Sequence, residues 1–236
     1  MKKLLISNQY GAWVMALMPF LYGMWLAPFT WQSCFLLAGW IALYLAVYPF
    51  LSIFKGRNQE FYKVWTAIYA SISFLLFLPA FFYNWEIILF GVATIPFILV
   101  NIYYVNARDE RALSNDFAGI AIFEIIGAGA YYFTAHTFDQ NMLHLVVYTT
   151  LMLISIVFYV KTMMRERKNK FYLYTSYIIH LIILIYFFSQ SWMLGVAFFP
   201  AYLRAYFFPK RKLSVQQVGT IEFAISLWFF CWLLAY

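Results

Sequence analysis

The sequence predicts an all-α fold, a polytopic transmembrane helical bundle of about nine spans, forming one domain over residues 1–236 with its N-terminus cytoplasmic and its C-terminus outside. Three observations carry that reading. Apolar residues make up 65% of the chain and charged residues only 11%, too few to cover the surface of a water-soluble domain of this length. Runs of about 20 apolar residues, the length a helix needs to cross a hydrocarbon core of about 30 Å, recur from end to end. Lysines and arginines cluster in alternate gaps between those runs, as the positive-inside rule requires.

The first span, Gly11 to Phe29, follows Lys2 and Lys3, whose charge orients it. The start has the positive n-region of a signal peptide, but polar Asn8-Gln9 interrupts it and no small-residue cleavage site follows, so it reads as retained. The second span, Gln32 to Phe54, stops at Lys55, and the third, Lys63 to Phe82, opens after the polar stretch from Arg57 to Glu60. The fourth runs from Trp85, an indole suited to the headgroup region, to Val105. The fifth covers Asp116 to Ala135, the sixth Leu143 to Val160, and the seventh Phe171 to Ser189 beyond a basic run. The eighth lies between Trp192 and Phe208, and the ninth between Val215 and Tyr236.

Numbered this way, the cytoplasmic segments are 1–10, 55–62, 106–115, 161–170 and 209–214, and every Lys and Arg falls in them or in an inner half-span. The outer side receives Glu86 and Asp139 but no Lys or Arg. The short outer turns join spans one and two, three and four, five and six, and seven and eight into expected antiparallel hairpins. Trp31, Trp85 and Trp192 stand at outer ends as interfacial anchors. The localisation expected is multi-pass in the cytoplasmic membrane.

The formal charge of +7 does not make this a nucleic-acid binder, because such a footprint needs one solvated basic face and these charges punctuate apolar runs. Cys34 and Cys231 lack metal-ligand spacing, and their place within apolar segments predicts buried thiols. There is no Gly-rich phosphate loop, paired-histidine zinc motif, haem or iron–sulfur motif, or nucleophile elbow.

Ionisable groups inside a bilayer cost several kcal/mol unless paired or hydrated, which singles out Glu124, His180, Arg204 and Glu222. Each lies about 6 to 14 Å inward from its cytoplasmic helix end at about 1.5 Å per residue. Four such groups at one depth are candidates for a single cytoplasm-facing cavity, with Glu124, His180 and Glu222 handling protons and Arg204 and Asn101 holding ligand; the alternative is a set of helix-locking ion pairs. Tyr177 and Tyr174 stand one and two turns from His180.

The connection from Asn106 to Asp116 packs acids, guanidiniums and amides together. Asp109, Glu110 and Asp116 are candidate ligands for a divalent cation such as Mg²⁺, and Arg108, Arg111 and Asn115 for a phosphate; the plainer expectation is that Ser114, Asn115 or Asp116 caps the next helix. In Lys161 to Lys170 five of ten residues are basic, and this run, with Arg165 as a candidate ligand contact, suits anionic lipid headgroups or an anionic substrate. Gly127 and Gly129 on the fifth span permit close helix approach.

Several short pieces resemble one family across essentially the whole chain. They are Asn8-Gln9-Tyr10-Gly11-Ala12-Trp13 leading to Pro19, Asp109-Glu110-Arg111 with Asn115-Asp116, Arg165-Glu166-Arg167 with His180, and Val218-Gly219-Thr220-Ile221-Glu222. In order and spacing they resemble the YwiC-like family of bacterial membrane proteins. Tyr10 stands where that pattern places a histidine, so no role for a histidine transfers. The resemblance implies a membrane location without an activity. The expected architecture is also similar to the intramembrane prenyltransferases of the UbiA superfamily, whose paired Asp-rich motifs this chain does not reproduce.

Two functional readings follow: a cytoplasm-facing site for a lipid-linked or phosphorylated ligand, and a proton-coupled secondary transporter of a small anion. A third is a non-catalytic partner in a membrane complex.

Overall fold

The computed structural model describes residues 10–56, 58–209 and 211–236, so Lys2, Lys3 and Asn8-Gln9 lie outside the described residues. Among those described, the helices are α1 (Tyr10–Leu26), α2 (Trp31–Ile53), α3 (Gln59–Tyr83), α4 (Ile87–Ala93), α5 (Ile95–Asn106), α6 (Leu113–Ala135), α7 (Gln140–Val160), α8 (Lys170–Gln190), α9 (Trp192–Phe207) and α10 (Val215–Ala235). A π-helical turn, Lys161–Arg165, extends α7. With α4 and α5 as two halves of one crossing, the described residues form nine rods at the nine expected places, seven of them long and apolar enough to cross a membrane. Apolar side chains that a soluble protein would bury stand exposed, such as Leu75 at 63% and Ile185 at 60%. Such surfaces face hydrocarbon, and the chain is a multi-pass membrane protein.

The crossing from Ile87 to Asn106 is broken at Thr94, whose hydroxyl donates to the Gly91 carbonyl at 2.6 Å. Pro96 explains the break: it has no N–H to return to the carbonyl four residues back, and its ring crowds that carbonyl. Every other span is one continuous rod. Trp31, Trp85 and Trp192, each at least 60% exposed, stand at helix ends as anchors should.

The rods pack as two compact units, residues 19–146 and residues 10–18 with 147–236. In the first, α2 and α3 form the tightest pair, closed by Ser73 Oγ donating to the Gly39 carbonyl at 2.9 Å while the Phe77 ring covers Gly39. The expectation paired α3 with the next span instead. The difference lies in side-chain size: α2 buries Ser33, Gly39, Ala42 and Ala46, so α3 approaches closely, whereas α4 and α5 pack on α6. The Gly127 expectation holds, since a Cβ there would meet Pro19 Cβ of α1 at 2.6 Å, and one at Gly23 would collide with the Gly127 carbonyl. Gly129 receives the Phe90 ring of α4 in the same way.

In the second unit α9 packs against both α8 and α10. Phe187, Phe198 and Phe229, all fully buried, bring their rings together at 5.3, 5.6 and 6.4 Å. Cys34 and Cys231 are both exposed, against expectation, because each falls on the outward face of its helix.

Candidate functional site

Three of the four intramembrane ionisable residues belong to the second unit, and two of them meet. Arg204 of α9 donates through Nη1 to Glu222 Oε2 of α10, and both residues are buried. The guanidinium carbon lies 4.6 Å from the centroid of the Tyr159 ring of α7, so the cation is held by a carboxylate at one edge and a π face. His180 of α8, with no exposed surface, is within electrostatic reach of Arg204.

His180 Nδ1 lies 2.7 Å from the Ser176 carbonyl, one turn earlier. A carbonyl only accepts, so Nδ1 carries the hydrogen, and the neutral ring presents Nε2 as a lone pair. Tyr177 is not part of this arrangement; its ring turns to Tyr206 at 5.4 Å, and Tyr174 packs on Tyr177. Ser176, four residues before His180, and Tyr177, three before, both neighbour it on the helix, but it is the Ser176 carbonyl that meets the ring while Tyr177 turns aside; Tyr174, six residues before, lies on another face.

Several buried polar atoms here have no hydrogen-bond partner: His180 Nε2, Arg204 Nε and Nη2, Glu222 Oε1, Tyr159 OH and Ser226 Oγ. Buried polar atoms are normally paired, and each left alone costs about 1–3 kcal/mol, so a group this large asks for an occupant. The pattern is specific. Nη1 serves Glu222, which leaves Nε–H and Nη2–H, the parallel pair along the side of the guanidinium that receives both oxygens of a carboxylate or phosphate. Tyr159 and Ser226 were not among the expected site residues. Ser226 is legible as the residue one turn after Glu222, and Tyr159 only through tertiary packing.

Glu124 belongs to the first unit, on the buried face of α6. Asn101 of α5 donates to Asn115 Oδ1 at 3.1 Å, and Asn115 Nδ2 donates to the Glu110 carbonyl at 2.9 Å. Lys55 Nζ reaches both Glu110 carboxylate oxygens, at 2.8 and 2.9 Å. Arg108 has φ 57°, and the Arg108 and Asp109 amides donate to the Val105 and Tyr104 carbonyls, closing the end of α5 by a Schellman arrangement. The loop is thus a clasp.

Its side chains do not gather as a metal site requires: among the described residues no three His, Cys, Asp or Glu groups are placed to hold an ion, Asp109, Glu110 and Asp116 included. The Asp109 amide is used in the Schellman turn, and Lys55 engages Glu110. The cap expectation also changes, since α6 begins behind Ala112 with no side-chain cap. Arg111 and Arg165 are both exposed, Arg165 closing the π turn.

A membrane bundle with a buried, incompletely paired Arg–Glu–His group defines a class, a multi-pass membrane protein with ionisable residues in its interior. Within it, a family model described as YwiC-like protein matches residues 6–131, and the chain belongs to that family. An "Uncharacterized protein" of Haemophilus influenzae is 53% identical over 98% of both chains. The "Uncharacterized protein YwiC" of Bacillus subtilis is 35% identical over 96% of this chain and 95% of its own. No solved structure matches the chain.

Proposed function

We propose that this protein is a proton-coupled carrier of a small anion in the cytoplasmic membrane, with its N-terminus in the cytoplasm and its C-terminus outside. The observation that carries the reading is the unpartnered Nε–Nη2 edge of Arg204, buried beside Glu222 and His180.

The coupling follows from charge. Arg204 and Glu222 are neutral as a pair. An anion arriving on the free edge would leave two negative groups on one cation in a low-dielectric interior, which is unfavourable by several kcal/mol. Protonation of Glu222 restores neutrality, so one anion enters with one proton. His180, whose buried Nε2 has no hydrogen-bond partner, is the residue to which this reading gives the passage of that proton. Those atoms are closed to solvent, so binding and release require the helices to part, as alternating access demands.

A phosphorylated or lipid-linked ligand at the inner surface would offer the same oxygens to Arg204. The version that depends on Mg²⁺ lacks support from the placement of Asp109, Glu110 and Asp116.

The test is thermal stability of the purified protein against small carboxylates and inorganic phosphate between pH 5 and 8. Stabilisation by one anion should tighten about tenfold in apparent affinity per unit fall in pH while Glu222 is ionised in the free protein. Glu222→Gln, which imitates the protonated acid, should bind without pH dependence, and Arg204→Met should not bind. Absence of stabilisation by every anion in both wild type and Glu222→Gln would sink the reading.

A further inference from the structure

The first unit contains a cavity of about 350 Å³ with an almost wholly apolar wall, bounded by Leu36 and Trp40 of α2, Phe77 of α3, Phe90 of α4, and Ile126 and Gly129 of α6. We propose that it holds one acyl chain of a bilayer phospholipid, drawn in between the α2–α3 pair and the α4–α6 pair. This assignment is independent of the Arg204–Glu222 reading.

Water is a poor occupant, because a buried water needs two to four polar partners and nearly all of this wall is apolar. An empty space of this size forfeits the dispersion contacts of every side chain around it. Its volume falls within the range of about 300–1,000 Å³ typical of small-molecule pockets. The elements that form it are membrane crossings, so the medium at its mouth is hydrocarbon. That mouth is lined by Ile88, Val92 and Ile95, exposed at 46%, 53% and 48%, while Leu36, Trp40 and Ala130 at the back are buried.

Three local features keep the space open. The break at Thr94 before Pro96 separates α4 from α5. The Phe90 ring is drawn onto Gly129, which ties α4 to α6 instead of to α3. Gly91, in the wall, supplies no side chain, and a Cβ built there meets nothing within 4 Å. The last point makes the proposal testable, since the first side-chain carbon added at 91 enters open space at the cavity wall.

The experiment is photo-crosslinking of the full-length protein, reconstituted in vesicles that contain a phosphatidylglycerol with a diazirine on one acyl chain, with labelled peptides mapped by mass spectrometry. Wild type should label peptides of α2, α4 and α6 at least fivefold above the α8 peptide that carries the plainly lipid-facing Ile182 and Ile185. Gly91→Trp should lower that labelling to the α8 level, with Gly91→Ala and Gly91→Leu giving graded intermediates if the largest substitution impairs folding. Cooperative melting of each variant reports its folding. Equal labelling of all helices, or labelling unchanged in folded Gly91→Leu and Gly91→Trp, would overturn the assignment. Preferential labelling by a polyprenyl-phosphate diazirine probe over the phospholipid would overturn the acyl chain as occupant.

Discussion

The Arg204 guanidinium carbon stands 4.6 Å over the Tyr159 ring while its Nη1 bonds Glu222, so a single cation ties α7, α9 and α10 together inside the second unit. Neutralised in one direction and stacked in another, the cation still presents a third side, its Nε–Nη2 edge, without a hydrogen-bond partner.

Breaking this pair from one side leaves a buried charge alone. Arg204→Ala or Glu222→Ala should therefore each destabilise by about 3–5 kcal/mol, whereas Arg204→Met with Glu222→Leu should come within about 1 kcal/mol of wild type. Thermal unfolding of the four proteins in one detergent checks this. A double variant as unstable as the singles would mean that the ion pair contributes net stability.

Arg108 occupies the left-handed region at φ 57°, where a side chain costs about 1 kcal/mol and glycine does not. Arg108→Gly should raise stability by about that amount. Mg²⁺ should shift the melting temperature of wild type, Asp109→Ala and Asp116→Ala alike. A Mg²⁺ stabilisation lost only in the Asp variants would restore the metal site to this loop.

Outside the spans, Asp139 accepts from the Tyr131 hydroxyl at 2.7 and 2.9 Å and from the Asn141 and Met142 amides at 3.0 and 3.2 Å. The Tyr131 bond first, and those amides with it, hold its carboxyl below the ordinary value of 3.8. A carboxyl whose folded pKa is depressed contributes stability that is present above its unfolded pKa, about 3.9, and lost as pH falls through the folded value. Protection of the amides at 137–143, relative to their intrinsic exchange rate at each pH, should therefore fall below about pH 4 in wild type, and the dependence should be weaker in Tyr131→Phe. Identical pH profiles would remove the role assigned to this bond.

The proposed orientation places the exposed residues Gln190 and Lys168 on opposite sides. With Cys34 and Cys231 replaced by Ser, Gln190→Cys should react with an impermeant maleimide in intact cells, and Lys168→Cys only after permeabilisation. The reverse pattern would invert the topology.

Spans were legible because each is a local property: a run of apolar residues long enough to cross, bounded by charge or by tryptophan. Pro96 marked the break between α4 and α5 in the sequence itself, but whether a proline kinks or divides a span depends on what packs beside it, here Phe90 on Gly129. His180, Arg204 and Glu222 could be selected by the cost of burying ionisable groups, whereas the choice of Glu222 as partner needed the relative rotation of α9 and α10. The acidic loop was less legible for a related reason. Adjacent acids in a sequence suggest shared ligands, yet the chain reverses at the αL residue Arg108 and Glu110 is engaged by the distant Lys55.

The backbone-to-backbone meeting of α1 and α6 at Gly23 and Gly127 bears on how the protein is made. Position 127 is translated 104 residues after position 23, an interval of about 5–20 s at about 5–20 residues per second. Until then α1 has no α6 to receive Gly23. The nascent α1 must wait beside the insertion machinery or in lipid, which makes this contact a checkpoint in biogenesis that cannot be passed before α6 is made.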